Sequence, residues 1–206
     1  MSFTKQRIYL ASQSPRRREL LKQIGIHFEV LLLRSDLCRN MDVDETIRAG
    51  EQPEEHVRRL CQEKIEAGRA ALRLRNLPVF PVLAADTVVT LDGKIFGKPE
   101  NAEHAAEMLR QLSGREHQVL SAVAVALGEH VESAVSISTV RFTTLNEERI
   151  RRYLLTSEYN DKAGGYAIQG HAGAFIEHIS GSYSGVMGLP LFETVQLLQL
   201  FAYPTP

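Results

Sequence analysis

One carboxylate, Asp86, is set into an otherwise apolar run, Pro81-Val82-Leu83-Ala84-Ala85-Asp86-Thr87-Val88-Val89. Taking an ionised aspartate out of water is costly, so such a strand must offer it a cation, hydrogen bonds or a bound metal ion. Either Asp86 ends a buried strand and opens a turn, or it is delivered to a site where it does chemistry. A second candidate is Ser12-Gln13-Ser14-Pro15-Arg16-Arg17. Ser14 suits an N-cap and Pro15 a first helical turn, so unpaired backbone N–H groups gather there beside the hydroxyls and guanidinium groups. Cations at a helix N-terminus are unfavourable unless an anion joins them, which makes this a phosphate cradle or else a plain cap with solvated arginines. The loop carboxylates Asp42, Asp44 and Glu45 are either solvated or oxygen ligands of a hard cation. Lys64, within an apolar helical stripe, snorkels to the edge or aims its charge into a cleft. Lys98, between Gly97 and Pro99, is a surface turn lysine or a phosphate ligand.

These residues need elements to position them. Ile8 to Ala11 reads as a strand, followed by a helix from Pro15 whose face of Leu20, Leu21 and Ile24 ends at Gly25. A polar loop from Leu31 to Gln52 leads to a helix near Pro53, with Val57, Leu60, Cys61, Ile65 and Ala71 inward. The Asp86 strand turns back at Asp92-Gly93, a two-residue hairpin signal. A helix with Ala102, Ala105, Ala106, Leu109 and Leu112 inward closes at Ser113-Gly114. His117 to Leu127 suits a strand buried on both faces, and Val131 to Leu145 a longer, partly alternating one. Asn146 caps a helix over Glu147 to Leu155, Asn160 to Gly170 is a glycine-rich loop, and Ala174 to Ile179 is a strand. Gly181 to Gly185 is a turn, and a last helix from Pro190 has Leu191, Val195, Leu198 and Phe201 inward.

With 206 residues and 44% apolar content, the chain forms one α/β domain, residues 1–206, around a mixed sheet. A formal net charge of -1 argues against a broad basic footprint for nucleic acid, so any anion site is local. No run approaches the roughly 18 consecutive apolar residues of a membrane span, and Met1 to Gln6 lacks a secretory core, which points to the cytoplasm. Cys38 and Cys61 have no metal-binding spacing and read as ordinary reduced thiols.

In order along the chain, Leu10-Ala11-Ser12-x-Ser14-Pro15-Arg16-Arg17, Ala85-Asp86-Thr87-Val88-Val89, Gly97-Lys98-Pro99, Leu112-Ser113-Gly114, Asp161-Lys162-Ala163-Gly164 and Gly188-Leu189-Pro190 resemble the Maf family of nucleotide pyrophosphatases. The resemblance implies an elongated mixed β-sheet with flanking helices in two lobes around a central cleft, like that of inosine triphosphate pyrophosphatases. It also implies a homodimer, and hydrolysis of a nucleoside triphosphate to the monophosphate and pyrophosphate with a divalent cation, Mg²⁺ or Mn²⁺. By the same resemblance Asp86 is the catalytic proton acceptor, Ser12, Arg17, Lys64 and Lys98 bind phosphate, and Glu45 and Asp86 hold the metal. A free aspartate, with a pKa of about 4, is a weak base, so metal activation of the water would share the task.

Arg16, Thr87 and Gln169 match the branch of the family that resembles UTP and dTTP pyrophosphatases. The 7-methyl-GTP branch has tryptophan, glutamine and glutamate there. The Gln169 amide carries both the donor and the acceptor that a uracil or thymine edge requires. The substrates implied are dTTP and UTP, with modified pyrimidine nucleotides beside them, and the implied cellular role is exclusion of modified nucleotides or arrest of division. Two alternatives use the same residues: the same chemistry on 7-methyl-GTP, and a non-catalytic nucleotide-binding regulator of septum formation. Leu31 to Val43 is longer than the corresponding loop of many relatives, which bears on the alignment of Glu45.

Overall fold

The turn signals and apolar stripes resolve into one continuous mixed sheet with helices on both faces. The structure is a computed structural model and describes residues 7–33 and 43–205. Met1 to Gln6, Cys38, Asp42 and most of the long loop before Val43 lie outside the described residues. The elements are β1 (Ile8–Leu10), α1 (Pro15–Gln23), β2 (Phe28–Val30), α2 (Pro53–Leu74), β3 (Val82–Leu91), β4 (Lys94–Phe96), α3 (Ala102–Leu112), β5 (Glu116–Leu127), β6 (His130–Phe142), α4 (Glu147–Leu154), β7 (Ile176–Ser180), α5 (Tyr183–Met187) and α6 (Leu191–Leu200). The strands run β2-β1-β3-β5-β6-β7, with β4 paired on β3. β1 is parallel to β2 and β3, and the other pairings are antiparallel. Among the described residues no helix is long and apolar enough to cross a membrane.

Several expected boundaries move. β2 has only three residues at the sheet edge, too few and too exposed to show alternation, and it is a strand because β1 pairs with it. The Gly181 to Gly185 turn is instead the start of α5, where the Ser182 side chain accepts the Gly185 N–H; serine and glycine signal caps and turns alike. β7 begins at Ile176 because His171–Phe175 winds as a 3₁₀ turn. On α6 the buried positions are Thr194, Leu197 and Leu198, not Val195. Ser14 occupies the N-cap position of α1, but its side chain caps nothing; its backbone N–H donates to Ser12 Oγ at 3.2 Å. The hairpin is as expected, with Asp92 and Gly93 both at positive φ, 52° and 78°.

Two helical layers enclose one half of the sheet. On one face Val57, Cys61, Ile65 and Ala71 of α2 pack on Val82, Ala84 and Val88 of β3 and Ala122 and Ala124 of β5. On the other, Leu20 and Leu21 of α1 and Leu197 and Leu198 of α6 pack on Leu83, Ala85, Val123 and Val125. A separate cluster holds α3 and α4, through Leu109, Leu112, Ile150 and Tyr153, against Phe142, Val119 and Val89 at the far end. β5 runs through all three clusters and is buried on both faces, as its composition requires.

The feature that opens a site is a difference in strand length. β1 pairs with β3 only at Tyr9–Val82 and Leu10–Leu83, with a last bond from Ala11 N to Leu83 O, and then the chain turns into α1. β3 continues to Leu91, and β4 joins it only from Val89. Between these points β3 has β5 on one side and an open edge on the other, and Asp86 and Thr87 lie in that interval.

α2 is set close to the sheet at Gly68, where a Cβ would lie 2.9 Å from Val82 Cγ1 and 3.3 Å from Ala11 Cβ. Gly68→Val is therefore expected to lower stability by about 1–3 kcal/mol, since overpacking exceeds the helix-propensity gain. Urea denaturation reads this as a lower midpoint at unchanged slope; an unaltered midpoint would mean that helix and sheet are not in contact there.

Candidate functional site

A cavity of about 890 Å³ opens at the free edge of β3. It collects the residues singled out from the sequence: Ser12 and Arg17 from the β1–α1 junction, Lys64 from α2, Lys98 after the hairpin, and Glu45 from the loop before α2. Asp86, Thr87, Arg16 and Gln169 line it as well. Side chains of a strand alternate between faces, so Asp86 and Thr87, although adjacent, point to opposite sides of the sheet. Val82, Ala84 and Val88, in phase with Asp86, pack under α2, whereas Leu83 and Ala85, in phase with Thr87, pack under α1 and α6. One cavity reaches both only because the edge between them is unpaired.

On the α2 face the charges pair closely. Lys64 Nζ donates to Asp86 Oδ1, and to Glu45 Oε1 at 3.0 Å, while Lys98 Nζ donates to Glu45 Oε2 at 3.0 Å. Asp86 is only 8% exposed, so the ammonium is the compensation that the apolar strand demanded. Burial pulls the Glu45 carboxyl up, but Lys64 and Lys98 outweigh it and hold the group at about 2. Arg17 donates from Nε to Gly188 O at 2.8 Å and from Nη1 to Ser12 Oγ at 3.2 Å. Burial lowers its pKa and the nearby Asp86 and Glu45 raise it, without taking an arginine near neutrality. Burial also pushes the Cys61 thiol up to about 12, so beside Asp86 it stays protonated and is no nucleophile. Arg16, Arg17, Lys64 and Lys98 against Asp86 and Glu45 make an environment for a polyanion.

Among the described residues no three histidine, cysteine or acidic side chains cluster as a metal site. Asp86 and Glu45 nevertheless converge on the same ammonium. Two carboxylates completed by water and substrate oxygens form the usual donor set for Mg²⁺ beside a polyphosphate, so these residues fit such an ion.

On the opposite face backbone carbonyls set the geometry. Arg16 Nε donates to Met187 O at 3.2 Å, next to the Gly188 carbonyl that receives Arg17. The glycine-rich loop is fastened at two points. Gly164, at φ 69°, donates to Gly97 O at 3.0 Å and lies so close to Val89 that a Cβ would fall 3.0 Å from its Cγ2. Tyr166 Oη and His117 Nε2 meet at 2.8 Å in the core. Burial lowers the His117 pKa to about 4, keeping the ring neutral near pH 7. Gln169 follows as an exposed residue at the rim.

His56, Asp161, Lys162, Tyr166, Met187 and Gly188 also line the cavity, and the sequence reading assigned none of them a role. Asp161-Lys162 and Gly188 fell within recognised motifs. His117 is a polar residue heading an apolar strand, which is the one signal it offers, and nothing in spacing joins it to Tyr166, 49 positions later.

The family model for Maf-like proteins matches residues 7–201. A dTTP/UTP pyrophosphatase of Nitrosospira multiformis is 58% identical over 199 residues, covering 97% of this chain and 96% of that protein. Proteins of the same name from Aromatoleum aromaticum and Chromobacterium violaceum are 56% and 49% identical, covering 96% and 100% of this chain and 97% and 100% of their own lengths. Among solved structures, the Staphylococcus aureus Ham1 protein superposes with a TM-score of 0.52 at 17% identity, over 96% of this chain and 98% of that one, a likeness of fold.

The charge pairing has a measurable signature. The Glu45 value in the folded protein, about 2, lies below its ordinary 4.5, so the group contributes stability above about pH 4.5 that is lost as pH falls toward 2. In Lys64→Met the burial effect is opposed by Lys98 alone, and the Glu45 carboxyl should titrate at higher pH in ¹³C NMR. An unshifted titration would show that Lys64 does not hold it.

Proposed function

The chain belongs to the Maf family, and from that membership we infer that it is a dTTP/UTP pyrophosphatase, a hydrolase that releases pyrophosphate from the pyrimidine nucleoside triphosphate and leaves the monophosphate. The observation that carries the site assignment is Asp86, a buried carboxylate held by Lys64 in a cationic cavity at the open edge of β3.

In this reading a water attacks the α-phosphorus, its proton passes to the Asp86 carboxylate, and the anhydride oxygen leaves with pyrophosphate. Charge gathers on the phosphoryl oxygens along this path, so fixed cations accelerate it more than covalent chemistry would. Arg17, Lys64 and Lys98 supply them. Ser12 Oγ already accepts from Ser14 N and Arg17 Nη1, which leaves its own hydrogen for a phosphate oxygen. The first-turn N–H groups of α1 add further donors. Asp86 and Glu45 would hold a Mg²⁺ or Mn²⁺, which when bound lowers the pKa of water and neutralises phosphate charge. Arg16, Thr87 and Gln169 are assigned to the base, on the far side of the β3 edge from Asp86. A cytoplasmic homodimer, implied by the resemblance, completes the proposal, and light scattering on the purified protein reads that state.

Pyrophosphate release from a panel of canonical and modified triphosphates, with Mg²⁺ and with Mn²⁺, tests the assignment. Asp86→Asn should lower kcat by about a hundredfold or more, the scale of a lost proton acceptor. Near-wild-type turnover in that variant would refute the role of Asp86, and nucleotide binding with no release from any substrate would favour the regulator. Gln169→Glu should weaken use of both UTP and dTTP; unchanged rates on both would remove Gln169 from the base pocket.

A further inference from the structure

Ser121 does not line the cavity and is fully buried on β5, yet it stands directly across the ladder from Thr87. Its Oγ is 2.7 Å from Gly185 O and 2.8 Å from Thr87 Oγ1. A hydroxyl has one hydrogen, and a carbonyl oxygen only accepts. Both short bonds form together only if Ser121 donates to Gly185 O and Thr87 donates to Ser121 Oγ. Gly188 O, at 3.5 Å, is too distant to compete for that hydrogen with Ser121 Oγ at 2.8 Å. Thr87, which lines the cavity, therefore spends its hydrogen on Ser121, and its oxygen is left only to accept.

We propose that Ser121 is a positioning residue for base selection: by accepting the Thr87 hydrogen it makes Thr87 an acceptor, so that the base edge meeting Thr87 must be a donor. This rests on the dTTP/UTP reading and on Thr87 facing the base. The donor that uracil and thymine share on that edge is N3–H. A ribose 2′-hydroxyl cannot be the common partner, because dTTP lacks it. Cytosine presents a bare N3 lone pair, which would oppose the lone pairs of Thr87 and leave a buried acceptor unpaired. Fidelity for the keto pyrimidine is thus set by a residue that the nucleotide never touches.

The test is kcat/KM for UTP, dTTP, CTP and dCTP in the wild type, Ser121→Ala, Ser121→Thr, Thr87→Val and the double variant Ser121→Ala/Thr87→Val. The wild type is expected to prefer UTP over CTP by at least about tenfold, one lost hydrogen bond with a group left unpaired. In Ser121→Ala the Thr87 hydroxyl is free to rotate and to donate, and the UTP/CTP ratio should fall about tenfold. The fall should appear mainly in KM for UTP, with kcat within about threefold. Ser121→Thr, which keeps a hydroxyl, should restore the ratio. In the Thr87→Val background the Ser121 change should have no further effect on it, which a merely structural role for Ser121 would not produce. Should Ser121→Ala fail to fold, Ser121→Cys, with its weaker hydrogen bonds, should shift the ratio in the same direction. An unchanged ratio in the serine variants, an equal fall with and without the Thr87 hydroxyl, or a wild type that uses CTP as readily as UTP overturns the proposal. UTP turnover with an unchanged ratio removes only the role of Ser121. Absence of pyrophosphate release from UTP and dTTP in the wild type removes the functional reading and this inference with it.

Discussion

The site depends on β3 running on after β1 has stopped. A strand in mid-sheet has both edges filled and its side chains reach only one face or the other. Where β1 turns into α1 after Ala11, the edge of β3 near Asp86 loses its neighbour, while β5 still supports it from the other side through Asp86–Ala122 and Thr87–Ser121. The backbone there is rigid but approachable, and a ligand at the edge can touch both faces. Asp86 then serves the α2 face, where the lysines gather, and Thr87 the α5 face, where the carbonyls gather. On the proposed reading, cleavage and base selection would be separated by one peptide unit, because consecutive strand residues point apart.

The α2 face balances its charges without substrate. A lone Asp86 at 8% exposure would be expensive, and so would a lone Lys64, whose side chain is 15% exposed; each offsets the desolvation of the other. Glu45 completes the arrangement by lying between Lys64 and Lys98, where its two oxygens present charge much as a phosphate group would. Lys64 is thus anchored by a buried pairing with Asp86, whereas the Glu45 pairings with Lys64 and Lys98 are the more exposed ones. Glu45 has nearly half of its side chain exposed and sits on a loop, whereas Asp86 sits on a central strand. The loop carboxylate and the strand carboxylate match the tasks proposed for them, Glu45 as a cation ligand and Asp86 as proton acceptor as well as ligand.

Much of this was legible in the sequence. Asp86 is conspicuous because charge in an apolar strand is expensive, and the longer helices, the Asp92-Gly93 turn and the doubly buried β5 follow from periodicity and turn chemistry. Lys64 was ambiguous, since snorkelling and pointing into a cleft share one pattern; only the 22-residue separation closed by folding brings it to Asp86. The short β2 escaped because three residues show no period, and α5 because serine and glycine serve caps and turns equally. Ser121 was hidden for a different reason. A single serine in Val119-Leu120-Ser121-Ala122 is unremarkable until register places it opposite Thr87, and register is a tertiary property.

The α5–Gly188 turn ties the two faces together. Carbonyls of Gly185, Met187 and Gly188 receive Ser121, Arg16 and Arg17 in turn, so one short stretch of backbone aims the Ser121 hydroxyl and both guanidinium groups. Gly188 reaches this geometry at φ 117°, a conformation that side chains strain, although a Cβ would meet nothing closer than 3.7 Å. Backbone conformation, not space, requires glycine there. The turn is in turn pinned from below: Leu189 is fully buried against the α1 and α6 layer, and its N–H closes on Ser184 O at 3.0 Å. Because Arg17 bonds both Gly188 O and Ser12 Oγ, it links this turn to the β1–α1 junction. If the proposed assignments hold, a correct base would thereby help to hold Arg17 where charge develops, and binding energy from the non-reacting end of the nucleotide would be used at the reacting one.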